Sequence, residues 1–146
     1  GRQGAYVRLS HCKRKTALIK SKRLKVKGEK LETYTISLEQ RFTQFSKDVI
    51  LFCRNLKTDT VTRPLISQVV RSATSIGANY AESQSGVSTK DFRIKVAIAK
   101  KEAQETRYWF KLLKTCYPER INEIDALFDE TTQICKILQT ILNKSK

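Results

Sequence analysis

The sequence is poor in residues that break helices or bind metals. Its 146 residues include five glycines, two prolines and a single histidine, His11. So few glycines and prolines leave little room for a loop-rich all-β fold and favour long helices. The four cysteines, Cys12, Cys53, Cys116 and Cys135, form no CxxC pair. We therefore expect neither a metal site nor a cofactor.

Long apolar runs are also missing. No stretch has the roughly 18 consecutive apolar residues that a membrane span needs, and no apolar signal segment follows the basic N-terminus. Cys53 and Cys135 fall on apolar helix positions, where a reduced thiol behaves as a small hydrophobic residue. We expect a soluble, cytoplasmic protein that does not bind membranes.

Acidic residues are scarce relative to basic ones. The chain has 29 Lys or Arg against 14 Asp or Glu, a net charge of +15, and residues 1–30 hold eleven of the basic residues against one acid. Such an arm favours a polyanionic partner, because phosphates release condensed counterions on binding. A solubilising, disordered tail is the alternative. The candidate phosphate contacts of the arm are Lys13, Arg14, Lys15, Lys20, Lys22 and Arg23.

From about residue 37 the apolar residues follow helical spacing in four successive segments. The first contains Leu38, Phe42, Phe45, Val49, Phe52 and Leu56, and the fourth runs from Ile121 to Ile141. Amphipathic helices with short connections predict an all-α, antiparallel, up-and-down four-helix bundle over residues 37–146. Residues 1–36 form a basic N-terminal extension, disordered or with a short hairpin over 24–36.

Two serine or threonine residues mark helix starts. Thr62 offers an N-cap two residues before Pro64, which predicts a second helix from about Arg63 to Gln84. Ser88, with Asp91 three residues later, resembles a capping box and predicts a third helix ending near Cys116.

The third helix is apolar over more than half of its circumference. One sector is a regular bundle seam formed by Phe92, Val96, Ala99, Ala103, Thr106, Phe110 and Leu113. A second sector contains Ile94, Ile98, Trp109 and Leu112. A helix this apolar needs neighbours on two sides, which predicts a subunit interface. Alternatively, the arm or the fourth helix covers Trp109 within one chain.

Glu102 and Glu105 lie inside or beside this apolar arc. A carboxylate there needs a cation or donor, and Arg71, Asn79, Arg107 and Lys101 are candidates. Metal binding in such a bundle takes Glu-x-x-His motifs, which the sequence lacks, and acid catalysis has no identifiable partner group. A salt-bridge network that fixes helix or subunit register is the favoured interpretation.

The remaining face of the third helix carries a basic stripe of Arg93, Lys100, Arg107, Lys111 and Lys114. A solvated helix face is one interpretation. Repeated around an oligomer, the stripe would instead form a positive surface for nucleic acid. No motif for reading base sequence accompanies it, so binding would follow shape and charge.

The second helix contains a run of small residues in "RSATSIGANYAESQ". Ala73, Gly77 and Ala81 are spaced by four and share a face, flanked by Ile76 and Tyr80. Glycine inside a helix costs about 1 kcal/mol relative to alanine, so Gly77 predicts close approach of another helix.

The stretch "VVRSATSIGANYAESQ", followed by "STKDFRIKVAIAKKEAQETRYWFKLL", resembles the bacterial four-helix-bundle proteins encoded by intervening sequences of large-subunit ribosomal RNA genes. The resemblance is specific over residues 64–113 and does not reach the basic arm. It implies a homopentamer and a distant relationship to the accessory variability proteins of diversity-generating retroelements, which bind nucleic acid and partner with a reverse transcriptase. The family pattern maps onto Arg71, Ser75, Ile76, Asn79, Glu82, Phe92, Glu102, Glu105 and Trp109, with no catalytic role for any of them.

Two functions follow as hypotheses. The first is a non-enzymatic, homo-oligomeric protein that binds RNA or an RNA–DNA hybrid through the stripe and the arm. In that hypothesis Arg71, Gly77, Asn79, Glu82, Glu102, Glu105 and Trp109 serve the bundle or the subunit interface. The second is a scaffold that recruits a protein, such as a reverse transcriptase or a ribosomal component, with the charge supporting solubility.

Overall fold

Residues 30–145 are described by a computed structural model, with side chains from Leu38 onward, and over this range the chain forms four α-helices. These are α1 (Lys30–Arg54), α2 (Thr62–Gln84), α3 (Thr89–Cys116) and α4 (Ile121–Lys144), with a 3-10 turn at Pro118–Arg120. The predicted all-α four-helix bundle is confirmed.

Contacts between successive helices run in opposite order along the two partners. Phe42 of α1 packs edge-to-face on Tyr80 of α2, with 4.9 Å between ring centroids. Ser46, one turn later in α1, lies 3.5 Å from the carbonyl oxygen of Ala73, two turns earlier in α2. The same reversal relates α2 to α3 and α3 to α4. The connections are short, so the helices alternate up and down.

The core lies where the predicted seams meet. All six apolar residues predicted for the first helix are buried, as are the α3 seam residues except Phe92, which packs against the core from its edge. In α4 the seam prediction is wrong at Ile121, which is 41% exposed because it is the first residue of the helix and lies beyond the packed layers.

The helices α1 and α4 are the loosest pair of neighbours, and an ion pair bridges them. Arg41 donates from Nε to Glu130 Oε1 at 2.6 Å and from Nη2 to Oε2 at 3.0 Å. The two side chains are 17% and 14% exposed. This two-pronged contact combines charge with a fixed geometry, so it defines how α1 meets α4.

The start of α1 differs from the prediction. The helix begins at Lys30, seven residues before the predicted start. The hairpin prediction is therefore wrong for residues 30–36, and residues 24–29 lie outside the described range. The reason is local: no glycine or proline occurs between Gly28 and Leu38, so nothing interrupts the helix once it has formed.

The two predicted N-caps have different outcomes. Ser88 is the N-cap of α3, and its hydroxyl oxygen accepts the Asp91 N–H at 3.1 Å. Thr62 is instead the first residue of α2, and the carboxylate of Asp59 accepts the N–H groups of Val61 at 2.9 Å and Thr62 at 2.7 Å. The Thr62 hydroxyl in turn accepts the Asp59 N–H at 2.9 Å, so the two residues together cap the N-terminus of α2.

Gly77 of α2 packs against Phe42 of α1. A Cβ atom at this position would sit 3.6 Å from Phe42 Cβ and 3.8 Å from the Phe42 backbone. These distances are ordinary van der Waals contacts, so a helix of the same chain packs on Gly77 as predicted, but its approach is not so close that it requires glycine. Ala81 does not share this packing, because it is exposed.

None of the four described helices has the length and apolarity that crossing a bilayer requires.

Candidate nucleic-acid interface

The predicted interface has two parts, and the arm is one of them. Lys13, Arg14, Lys15, Lys20, Lys22 and Arg23 lie outside the described residues. Their contact with phosphates stays a prediction.

The other part is the basic stripe of α3, which we call the basic ladder: Arg93, Lys100, Arg107, Lys111 and Lys114. At its first step, Arg93 donates to the carbonyl oxygen of Leu142 at 3.1 Å and to Ser145 Oγ at 3.3 Å. At the next, Lys100 Nζ donates to Gln139 Oε1. Both contacts tie α3 to the last turns of α4, and the Arg93 cation also complements the negative end of that helix.

Farther along the ladder, two cations share one aromatic ring. The Arg107 guanidinium lies 5.0 Å and the Lys114 ammonium 5.3 Å from the centre of the Phe128 ring on α4. Lys114 also pairs with Asp125. Arg107 Nε is buried without a hydrogen-bond partner, which is tolerable because the guanidinium is attracted to the electron-rich ring face.

The interpretation of the stripe as a solvated helix face is wrong for four of its five residues, and the contact of the stripe with phosphates stays a prediction. Lys111 is exposed, whereas Arg93, Lys100, Arg107 and Lys114 are partly buried against α4. Their sector of α3 borders the core seam on the side where α4 packs, so their aliphatic stems lie along α4. The ladder therefore holds α3 and α4 together, and the carboxylate of Asp125 on α4 partly neutralises its positive charge.

Cys135 of α4 lies beside the ladder as a core thiol. Burial raises its pKa, although the nearby cations of Arg107 and Lys100 act in the opposite direction. Burial also raises the pKa of Cys53 to about 12. Both cysteines are free and lie in the hydrophobic core, so the prediction that they act as small hydrophobic residues is confirmed.

On the opposite flank, α3 meets α2 through a cluster of polar residues centred on Arg71. The guanidinium of Arg71 contacts Glu102 Oε2 at 3.2 Å, pairs with Glu105 Oε1, and donates from Nε to Gln68 Oε1 at 2.9 Å. Trp109 Nε1 donates to the same Glu105 oxygen at 3.1 Å. We call Arg71, Gln68, Glu102, Glu105 and Trp109 the Arg71 cluster. The prediction that the two glutamates find a cation is confirmed, with Arg71 as that cation, and the role of the network in fixing helix or subunit register stays a prediction.

The electrostatics of the Arg71 cluster follow from these contacts. The hydrogen bond from Trp109, followed by the contact with Arg71, lowers the pKa of Glu105 against the opposing effect of burial. The hydrogen bond to Glu105 raises the pKa of Arg71. Both shifts favour the charged forms, so Glu105 and Arg71 are ionised near neutral pH. Arg71 itself is 47% exposed, so water moderates the strength of these pairs.

The remaining predicted interface residues lie near this cluster but make separate contacts. Asn79 donates to the carbonyl oxygen of Ser75 at 2.8 Å within α2 and does not bind the glutamates. Glu82 pairs with Lys95 of α3. Trp109 packs partly against the core of its own chain. Ile94, from the same apolar sector, is 47% exposed, and Tyr108, which packs edge-to-face on Trp109, is 54% exposed.

One contact between α2 and α3 escaped the sequence analysis. Thr106 Oγ1 lies 2.9 Å from Ser72 Oγ, and both side chains are fully buried. Each hydroxyl also contacts its own helix, Ser72 the Gln68 carbonyl at 2.8 Å and Thr106 the Glu102 carbonyl at 2.8 Å. The available signal was a threonine in an otherwise apolar seam, but nothing in the sequence indicates its partner.

Comparisons with known proteins agree on one family. The family model described as "23S rRNA-intervening sequence protein" matches residues 35–140. A crystal structure of a protein of unknown function from the S23 ribosomal protein family of Bacteroides thetaiotaomicron is 31% identical, with a TM-score of 0.66. The alignment covers 71% of this chain and 96% of that protein. No curated protein matches the sequence.

Proposed function

The chain belongs to the 23S rRNA-intervening sequence protein family, and on that basis we propose that it is a non-enzymatic, homo-oligomeric protein that binds nucleic acid, RNA or an RNA–DNA hybrid. Binding uses basic surfaces of the bundle together with the N-terminal arm. The cellular setting is that of a ribosomal-RNA intervening sequence or a retroelement accessory protein.

The observation that carries this proposal is the net charge of +15 on 146 residues. An excess of this size produces a positive potential that concentrates polyanions around the protein and favours phosphate contacts by counterion release. No base-reading motif is needed for such binding, so specificity comes from nucleic-acid shape.

The homo-oligomer, a pentamer in the family resemblance, is supported by the surface around the Arg71 cluster. Exposed Tyr108 contacts Trp109 of that cluster, and exposed Ile94 lies on the same side of α3, about four turns from Tyr108. A patch that combines apolar side chains with a rigid polar register suits contact with a second copy of the chain.

The test is binding of fluorescently labelled single-stranded RNA, duplex RNA and an RNA–DNA hybrid over a range of salt concentrations. We expect the logarithm of the binding constant to fall linearly with the logarithm of salt concentration, by about 0.7 to 0.9 per neutralised phosphate. Absent or salt-independent binding to all three probes contradicts the proposal.

The second candidate, a protein-recruiting scaffold, is supported by a different observation. Four of the five ladder cations are partly buried against α4 and serve packing within the chain. The partner would be a reverse transcriptase or a ribosomal component. Recovery of such a protein in a pull-down that survives nuclease treatment, with no binding of the labelled probes, favours this candidate.

A further inference from the structure

The outer side of α1 is open to solvent. The helix packs on α2 through Phe42, on α4 through Arg41, and on the turn before α4 through Phe52, whose ring centre lies 5.2 Å from the Arg120 guanidinium. Residues on the side away from these contacts are exposed. We call the exposed residues of the segment 40–58 the α1 face.

Every exposed charge on the α1 face is positive. Lys47, Arg54 and Lys57 are exposed. The one carboxylate in the segment belongs to Asp48, which is 8% exposed and accepts a hydrogen bond from Gln44 at 2.8 Å. Three cations therefore lie within eleven residues, 47–57, with no exposed acid among them. No other stretch of eleven residues in the described part of the chain has this combination.

The acids around the α1 face are engaged elsewhere. Glu130 and Glu123 of α4, on the side that meets α1, are paired with Arg41 and Arg120. Beyond the end of the face, the carboxylate of Asp59 accepts the first N–H groups of α2. The positive charge of the three cations is therefore not cancelled by these neighbours.

The cations of the α1 face form a row of fixed spacing. Lys47 and Arg54 lie on one side of α1, because seven residues make about two turns, and they are about 10.5 Å apart along the axis. The chain stays anchored beyond the helix, since the Lys57 carbonyl oxygen accepts the Tyr117 hydroxyl at 2.6 Å and Leu56 is buried. One strand of a duplex carries a phosphate about every 3.4 Å, so the row spans several successive phosphates.

The α1 face has no ring on which a base could stack. Phe42, Phe45 and Phe52, the aromatic residues of the segment, are at most 4% exposed. Proteins that bind single strands use aromatic side chains for such stacking. A row of cations instead matches phosphates held at regular spacing, as in the A-form double helix of duplex RNA and RNA–DNA hybrids.

We propose that the α1 face binds the phosphate backbone of an A-form duplex, with Lys47, Arg54 and Lys57 as the phosphate contacts. This inference rests on the proposed function and adds the surface and the class of nucleic acid. The α1 face takes the place of the basic ladder, four of whose five cations are partly buried against α4.

Three variants of the full chain test the surface. The α1-face variant combines Lys47→Gln, Arg54→Gln and Lys57→Gln. The control loses the same charge at exposed positions of α3 and α4, through Lys90→Gln, Lys136→Gln and Lys144→Gln. Lys144 and Arg54 each lie in the last turn of a helix, so the two variants weaken helix ends alike. The third variant keeps the charge, with Lys47→Arg, Arg54→Lys and Lys57→Arg.

Binding of labelled duplex RNA of about 20 base pairs, the matching RNA–DNA hybrid and single-stranded RNA is measured at several salt concentrations. We expect the α1-face variant to bind both duplexes more weakly, with a salt slope lower by about 3, close to one for each lost phosphate contact. The control and the charge-keeping variant should match wild type, and wild type should prefer both duplexes to the single strand. Circular dichroism checks folding. If the triple variant unfolds, each single glutamine variant should still lower the slope by about 1.

The outcomes separate the site from the proposed function. If wild type binds and the control loses as much affinity as the α1-face variant, the site is overturned while nucleic-acid binding stands. The site is also overturned if the α1-face variant binds like wild type, and exposed Ile50 and Leu51 would then favour a protein partner for this face. Tighter binding of the single strand than of both duplexes overturns the class of nucleic acid. If wild type binds no probe at any salt concentration, the proposed function fails, and the site fails with it.

Discussion

At the residue scale, the alignment of α2 with α3 depends on a few polar contacts. The buried Ser72 and Thr106 hydroxyls meet in the core, and the Arg71 cluster lies above them on the surface. If either helix slid along the other by one turn, the hydroxyl pair and the ion pairs of the Arg71 cluster would both separate. The inner pair is fully buried, whereas water screens the partly exposed charges, so the contact between the hydroxyls is the less screened of the two.

Removing this hydroxyl pair should reveal coupling between the two helices. We expect Thr106→Val and Ser72→Ala each to lower the free energy of unfolding by about 1 kcal/mol, and the double variant to cost clearly less than their sum. Urea denaturation measures all four proteins. Thr131→Val is the control, since Thr131 is buried but bonds the Leu127 carbonyl of its own helix, and it should add independently to Ser72→Ala.

Gly77 offers a second test at the residue scale. A methyl group fits there at 3.6 Å from Phe42 Cβ, so Gly77→Ala should stabilise the protein by up to about 1 kcal/mol. Gly77→Leu should destabilise it by about 1–3 kcal/mol through overpacking against α1. Ala78→Leu, at the next and exposed position, should have little effect. Equal stability of the two Gly77 variants would contradict the close approach.

At the element scale, the helices themselves were predictable, whereas their boundaries depended on local chemistry. Ser88 forms the predicted N-cap because a serine followed by an acid three residues later is a pattern typical of helix starts. Before α2, both Asp59 and Thr62 are capping residues, and the carboxylate took the helix N–H groups because a charged acceptor binds them more strongly. Sequence alone does not decide between two such neighbours.

The Asp59 cap makes the start of α2 sensitive to acid. Hydrogen bonds from the Thr62 backbone and hydroxyl, then from Val61, lower the pKa of Asp59. Because the folded-state pKa is the lower one, the stabilisation is present above the unfolded value of about 3.9 and is lost as pH falls through the folded-state pKa. Asp59→Asn should therefore lower the melting temperature at pH 7 and do so less at pH 3 or below. Asp129→Asn, an exposed control on α4, should change little at either pH.

At the scale of the whole molecule, the side of α3 that carries Glu105 of the Arg71 cluster also carries exposed Ile94 and Tyr108. If this surface joins copies of the chain, Ile94→Glu should dissociate the oligomer, because burying an unpaired carboxylate is unfavourable. Light scattering coupled to size-exclusion chromatography should then report 16.8 kDa instead of a multiple, which for a pentamer is fivefold. Ile50→Glu, at an exposed position of α1, should leave the mass unchanged. Equal masses for wild type and Ile94→Glu would rule out this surface.

Sequence by itself determined the helices, the buried seams and the pairing of the two α3 glutamates with a cation. Helical periodicity assigns each residue a direction around its helix. Residues well inside the apolar arc must face the core, as the burial of Val96 and Phe110 illustrates. Whether a residue at the border of that arc is buried depends on which helix packs beside it, and this is known only from the tertiary structure. Arg107 packs on the Phe128 ring because α4 lies against the side of α3 that carries Arg107. The sequence of α3 does not show which of its sides α4 contacts. The end of the bundle where α3 begins and α4 ends likewise brings together residues more than 50 positions apart, such as Lys90 and Ser145, because antiparallel packing and not proximity along the chain makes them neighbours.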